Sequence, residues 1–491
     1  QKMPFETGTG MFPDPLLRGQ ASVRPAHNLQ FWVQVAVPRD APAGRYSGEV
    51  VVTCRKEGWM PANVVLPIRI PVELTVRDFA LPEHTPLLNT AFYSSPQLSG
   101  GRVTVSSRAL LEEFASHRQV PEPLLPSPEL RVGEGLELSV DLSSWEKEAA
   151  YVLEEQKLPQ IFLPVWGSSK GAMQGLYFLW HFPAVTAQRW PAFPLPGLPG
   201  VFVCDQQGDL TEEFKKLFGA YLRQVNALGE RRGWAGRVLV STMDEPYTAH
   251  VSGEGRDRDK PEANYKVIRN YVALVREAAP ALRTFCTANP SSELEGQIDQ
   301  WCLRNLEPAG NGRFPAPKSG VLTLCDNYRT FIDYPMVAPR TLGWLCWKTG
   351  ARGWLTFETL GDLAKAWQEP AFVYPQFRGG TVWGMGQLFY PDPVASGLVS
   401  SLRWEMMRKG AEDYETLWVL QQRIASLAPA QRDGPLGKGA ASFLEHAADA
   451  VAGVGSELET SDGPARSNTQ SQQLPHRLRE EAADWIERLA Q

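Results

Sequence analysis

What this chain has little of narrows the field first. Cysteine is scarce: six residues (Cys54, Cys204, Cys286, Cys302, Cys325, Cys346) in 491, widely scattered, with no Cys-x-x-Cys pair. That speaks against a zinc ribbon and against a disulfide framework. Cys286 and Cys325 fall in apolar, strand-like runs and read as buried free thiols. Histidine numbers seven, and no His/Asp/Glu group has ligand spacing, so neither a metal nor a cofactor is expected. Excess basic charge is missing: 49 Lys and Arg stand against 55 Asp and Glu, for a net charge of -6. Such a balance leaves no footprint for nucleic acid. No run of ~18 apolar residues exists, so no transmembrane helix is expected. No basic-then-apolar run precedes Pro13, so no secretory signal is legible there, although a chain starting at Gln1 is compatible with a processed form. There is no internal repeat.

What is present is ordinary globular composition, 43% hydrophobic and 21% charged, in a chain long enough for two or three domains. Tryptophan (16) and proline (40) are plentiful. Aromatics beside loop signals suit a cleft that stacks flat apolar faces, such as those of sugars, while most of them serve the core.

Residues 1–82 read as a β-sandwich domain. Strands are expected over 31–37, 46–54 and 64–76, punctuated by Pro and Gly. Pro67 and Pro71 place the last of these at an edge or a bulge. Residues 81–86 form the boundary. Over 83–400, strand-like and helical segments alternate, which predicts a (β/α)8 barrel. Its strands are expected at 87–93, near 119–125, and at 160–165, 237–245, 283–288, 298–303, 321–326 and 353–358. Helices are expected at 109–117, 209–228 and 264–279, the second opened by a capping box of Asp209 and Glu212. The Pro-rich stretches 182–199 and 308–317 read as loops at the barrel mouth. Residues 401–491 read as C-terminal helices (402–426, 443–451, 478–489) with a flexible linker near 454–473.

The stretch with chemistry in it is 237–247, reading RVLVSTMDEPY. A β-branched apolar run ends in two adjacent carboxylates, Asp244 and Glu245, and stops at Pro246. Barrels carry their chemistry at such strand ends. Two like charges side by side resist joint ionisation, so one carboxyl is pushed towards the neutral acid. A charged group beside a neutral acid suits cleavage of an acetal. The same three residues also suit a solvated turn that caps the next helix. Successive strand residues face opposite sides, so both carboxylates reach one ligand only if the chain bends there.

Beyond this stretch, the chain resembles glycoside hydrolase family 123 and its wider superfamily, whose characterised members are β-N-acetylgalactosaminidases. The resemblance is carried by Ala41-Pro42-Ala43-Gly44-Arg45-Tyr46-Ser47-Gly48, His117-Arg118, Asp244-Glu245-Pro246, Pro339-Arg340-Thr341-Leu342-Gly343-Trp344, Trp347-Lys348 and Gly353-Trp354-Leu355. Its most specific part is Phe389-Tyr390-Pro391 followed by Ser401-Leu402-Arg403-Trp404-Glu405, Arg408-Lys409-Gly410 and Glu412-Asp413-Tyr414-Glu415. It implies substrate-assisted retaining hydrolysis, in which the sugar's own 2-acetamido oxygen attacks the anomeric carbon. Asp244 would orient the acetamido N–H and stabilise the oxazolinium, and Glu245 would act as acid and then base. It also implies a glycan partner and an extracytoplasmic location, and leaves the oligomeric state open.

Other residues suit a sugar site. Tyr93, Trp166, Asn289, Asp326, Asn327 and Tyr328 lie at or beyond predicted strand ends, Tyr328 being the preferred partner of the acetamido carbonyl. Each alone suits a turn or core position equally. Two places depart from the family pattern: Leu355-Thr356-Phe357-Glu358, and Trp383-Gly384-Met385-Gly386. Trp383 is a candidate wall of the site, and Glu358 a candidate hydroxyl ligand or a structural acid. Two further readings stay open: a retaining glycosidase using Glu245 and Glu358 on a sugar without the acetamido group, and a glycan-binding protein without turnover.

Overall fold

The computed structural model describes residues 14–17, 31–54, 66–93, 106–163, 184–190, 200–246, 261–303, 316–325, 328–332, 334–368, 376–377, 380–381, 383–393, 397–452, 469 and 471–490. Most of the predicted linker and of the two Pro-rich stretches lies outside these residues. Among the described residues, no helix is long and apolar enough to cross a membrane.

The chain divides into two compact units. One comprises Gln1–Ser22, Glu83–Glu415 and His446–His476, and the other Val23–Pro82, Thr416–Glu445 and Arg477–Gln491. In the second unit, strand Gly44–Cys54 pairs antiparallel with Leu66–Val76 along its whole length. The strand predicted over 31–37 makes no ladder, so the described residues there hold a two-stranded sheet and not a complete sandwich. Pro67 and Pro71 sit in Leu66–Val76, where every strand is an edge and a missing N–H is harmless. In the same unit Arg77 ion-pairs with Glu480, Asp484 and Glu487 on one side of the helix Gln473–Arg488.

The first unit is built on eight parallel strands. These are β1 (Thr90–Phe92), β2 (Val120–Glu122), β3 (Ile161–Leu163), β4 (Val238–Asp244), β5 (Arg283–Thr287), β6 (Gln300–Leu303), β7 (Val321–Cys325) and β8 (Trp354–Thr356). Their spatial order is β2-β1-β8-β7-β6-β5-β4-β3, all ladders parallel. The two end strands, β2 and β3, lie against each other, so the sheet is a nearly closed barrel. Each predicted barrel strand has its counterpart here.

Helices α1 (Ser107–Ser116), α2 (Ser143–Ala150), α3 (Glu212–Arg232), α4 (Pro261–Ala278), α5 (Thr341–Thr349) and α6 (Leu402–Ser426) alternate with the strands. The link from β5 to β6 has turns in place of a helix. In α3 the apolar stripe Phe214, Phe218, Leu222, Val225 and Leu228 is buried, as its spacing predicts. Its cap differs from the prediction. Thr211 accepts the Phe214 N–H at 3.2 Å, and Asp209 instead pairs with Lys266 of α4 at 3.0 Å. A hydroxyl two residues closer to the apolar stripe wins the capping position, and the carboxylate is left for a cation.

Register separates the barrel's two faces, because partners in a parallel ladder share a side. Phe162 pairs with Leu239, Ser241 with Phe285, Phe285 with Gln300, and Phe92 with Glu122. The rings of Phe162 and Phe285, on strands either side of β4, meet edge-on at 5.1 Å. Side chains two strands apart can touch only on the concave side, so this face lines the barrel interior.

The sequence words that carry the family resemblance act largely as a clamp on α6. Arg403, fully buried, donates to both carboxylate oxygens of Asp14 at 2.9 and 2.8 Å, and Tyr390 donates to Asp14 at 2.6 Å. Asp413 accepts Arg340 through two bonds of 2.6 and 2.8 Å, and the Trp344 indole at 2.8 Å. Glu415 accepts Arg118 at 3.1 Å. Glu113, His117 and Glu405 bring three ligand-type groups within 4.8 Å. Arg408 at 2.7 Å from Glu405 and the Trp404 indole at 3.1 Å from Glu113 engage them as an ion-pair cluster.

Burial alone would raise the Glu405 carboxyl, but the His117 and Arg408 partners outweigh it and hold it at about 2, against an ordinary 4.5. A depressed native pKa contributes stability that is complete above the unfolded value and lost as pH falls towards the native one. Glu405→Gln should therefore lose about 3 kcal/mol at pH 7. Its stability difference from the parent should shrink steadily from pH 4.5 to pH 2. Urea unfolding across that range checks this, and a pH-independent difference would refute it.

Candidate active site

The site is built where β4 ends. Ser241 pairs with Phe285, yet Asp244 pairs with Thr287, three steps along β4 against two along β5. This bulge changes the side of everything after it. Without it Asp244 would share the outer face of Val240 and Thr242. With it, Asp244 shares the interior face of Phe285 and Thr287. The next residue, Glu245, has φ +45°, a left-handed conformation uncommon for a side chain of this kind. Bulge and left-handed turn supply the bend that two adjacent carboxylates need, and they leave both half-buried at the carboxyl end of the barrel.

Two side chains, Thr287 and Asn264, hold the bend. The Thr287 hydroxyl accepts the Glu245 backbone N–H at 3.0 Å and donates to Asp244 Oδ1 at 2.6 Å. On the next helix, Asn264 donates to the Pro246 carbonyl at 2.6 Å. Neither Thr287 nor Asn264 stands out in the sequence, because their partners are 42 and 18 residues away.

Glu122 is a further interior residue that sequence reading passed over. It ends β2, shares the face of Phe92, and is completely buried with neither carboxyl oxygen hydrogen-bonded. Burial pushes its pKa well above the carboxylate range, which favours the neutral acid. The signal was available: Glu122-Pro123 repeats the strand-ending Glu-Pro of Glu245-Pro246.

The other predicted site residues spread out. Asn289 lies two residues beyond Thr287 and is half-buried. Tyr93 is buried with its ring against Phe114 of α1, 5.4 Å between centroids, which puts it in the layer between sheet and helix. Glu358 is buried and its Oε1 accepts the N–H groups of Leu360 and Gly361 at 3.1 and 2.8 Å, so one oxygen is spent on its own turn. Trp383 is half-buried, and its carbonyl accepts the Ile332 N–H. Met385 is buried. Tyr328 opens a short 3-10 turn. Its side chain, and the whole of Trp166, Asp326 and Asn327, lie outside the described residues. Of the two thiols read as buried, Cys286 is, whereas Cys325 at the end of β7 is partly exposed. A strand's last residue reaches the rim, where neighbours no longer cover it.

Residues 202–420 match the model of the Glycoside hydrolase 123, catalytic domain. That span, a little under half of the chain, is similar to a family 123 catalytic domain. The matched span takes in β4 to β8, the Asp244-Glu245 pair and most of the α6 clamp. A solved family 123 glycoside hydrolase from Clostridium perfringens, analysed for the details of glycolipid glycan hydrolysis, superposes with a TM-score of 0.55 at 14% identity, over 92% of this chain and 77% of that one. At that identity the likeness shows the fold. A glucosidase from Croceicoccus marinus aligns over 68% of each chain at 9% identity, with a TM-score of 0.35 too low to carry an argument. No curated protein sequence matches.

Proposed function

We propose that this glycoside hydrolase is a retaining β-N-acetylgalactosaminidase working by substrate-assisted catalysis, with Asp244 and Glu245 as its catalytic residues. The observation that supports the reading is the bulged, left-handed end of β4, which puts Asp244 on the interior face and bends the chain at Glu245. Consecutive acids serve a reaction in which the nucleophile belongs to the substrate. One acid acts on the acetamido group, the other on the leaving oxygen beside it.

In the first step, Asp244 as the anion accepts the acetamido N–H and faces the developing positive charge. The acetamido oxygen forms a bond to the anomeric carbon as the glycosidic bond breaks. Glu245 gives its proton to the departing oxygen. In the second step Glu245, now a carboxylate, takes a proton from water. The water oxygen attacks the anomeric carbon, the oxazolinium ring opens, and configuration is retained. Glycolipid glycans, the substrates named for the Clostridium perfringens relative, are the first natural class to try. Tyr328, Asn289, Asp326, Asn327, Trp166 and Trp383 remain candidate sugar contacts in this reading.

The test is chromophore release from aryl β-GalNAc, β-GlcNAc and β-Gal glycosides. Turnover confined to the β-GalNAc glycoside is expected. Efficient β-Gal turnover would overturn the acetamido mechanism and favour a pair of Glu245 and Glu358. Binding of a GalNAc glycan without turnover would favour a glycan-binding protein.

A further inference from the structure

We propose that Thr287 is the positioning residue that decides which of the two carboxylates carries the proton, an inference that rests on the glycosidase reading above. A hydroxyl has a single hydrogen. The Glu245 N–H points at the Thr287 oxygen, so that oxygen is the acceptor in that bond, and its own hydrogen goes to Asp244 Oδ1. Asp244 is thereby fixed as the acceptor, and a donor at 2.6 Å favours its ionised form. The proton shared by the pair is left for Glu245. The same oxygen pins the backbone of Glu245 in its left-handed conformation, so one side chain on β5 sets both the charge of one acid and the aim of the other.

Among the described neighbours of Asp244, Glu245 repels it, and Cys302 on β6 and Cys286 on the opposite face of β5, both buried with their thiols pushed above the ordinary range by burial, are neutral. From α4, Asn264 bonds the Pro246 carbonyl, and Tyr265, raised by burial, lies towards Cys286 and Glu293. Thr287 itself is 5% exposed, so water does not stand in for its hydroxyl when it is removed.

The experiment compares Thr287→Val, which keeps the shape and removes the hydroxyl, with Thr287→Ser, which keeps the hydroxyl and removes the methyl. The readouts are kcat/KM against pH on an aryl β-GalNAc glycoside, and the thermal midpoint. Thr287→Val should lose roughly 10- to 100-fold in kcat/KM, the scale of one charge-assisted hydrogen bond. The acid limb of its profile should move to higher pH, because Asp244 then protonates more readily. Thr287→Ser should restore most of the rate and the parental profile. A Thr287→Val profile that keeps its shape overturns the inference, as does a serine variant no better than valine, which would make the methyl packing the cause. Absence of turnover in the parent would defeat the glycosidase reading and this inference together, whereas an active parent with an indifferent valine variant defeats this one alone.

Discussion

Glu245→Gln should lose about 10³-fold in kcat/KM on β-GalNAc glycosides with a sugar or alkyl leaving group, and far less with a dinitrophenyl one. The reason is the division of work between neighbours. A poor leaving group needs its oxygen protonated as the bond breaks, and a good one departs as the anion. Asp244→Asn should behave differently, losing on the order of 10²- to 10³-fold with both kinds of leaving group. In the proposed mechanism the charge it faces develops on the acetamido and ring atoms, whatever departs. A kcat/KM series over leaving groups of falling basicity separates the two variants. Parallel losses for Glu245→Gln across that series would refute its role as the acid. A flat Asp244→Asn series confirms that its work is on the sugar side.

The second large effect is structural. A Cβ on Gly343 of α5 would lie 1.9 Å from the Gly410 carbonyl oxygen of α6, and one on Gly410 would lie 2.5 Å from the Arg340 carbonyl oxygen. The obstacles are backbone, which cannot swing aside as a side-chain tip can. The two helices are also pinned beside the crossing by the Arg340–Asp413 pair and the Trp344 indole. Gly343→Ala or Gly410→Ala should therefore cost on the order of 3 kcal/mol, the upper part of the range for overpacked cores. Gly350, just past the end of α5, gives the comparison. It has φ +72° but open space around its Cβ position, so alanine there should cost only about 1 kcal/mol of backbone strain. Denaturant unfolding of the three variants checks the order. Equal costs at Gly343 and Gly350 would mean that the helix crossing tolerates an extra methyl.

These two results bear on the family-specific words of the sequence. Arg403, Asp413, Glu415, Gly343 and Gly410 make the words recognisable, yet their observed partners are Asp14, Arg340, Arg118 and helix backbone. They hold α6 in place. The proposed chemistry falls on Asp244 and Glu245, whose local Asp-Glu-Pro pattern alone is common.

The sequence by itself determined the barrel strands, the apolar stripe of α3 and the carboxylate pair at the end of β4. These are local properties: a run of β-branched residues, a helical period, a proline that stops a strand. Only the tertiary structure decided how the pair is aimed. Whether Asp244 faces inward depends on a one-residue slip against β5, and register is a property of two strands together, not of either. Thr287 lies 43 residues from Asp244, Asp14 lies 389 from Arg403, and neither contact has a period or spacing that could announce it. The buried Glu122 lies between these cases: its Glu-Pro ending is written in the chain, but its burial without a partner comes only from closing the sheet into a barrel.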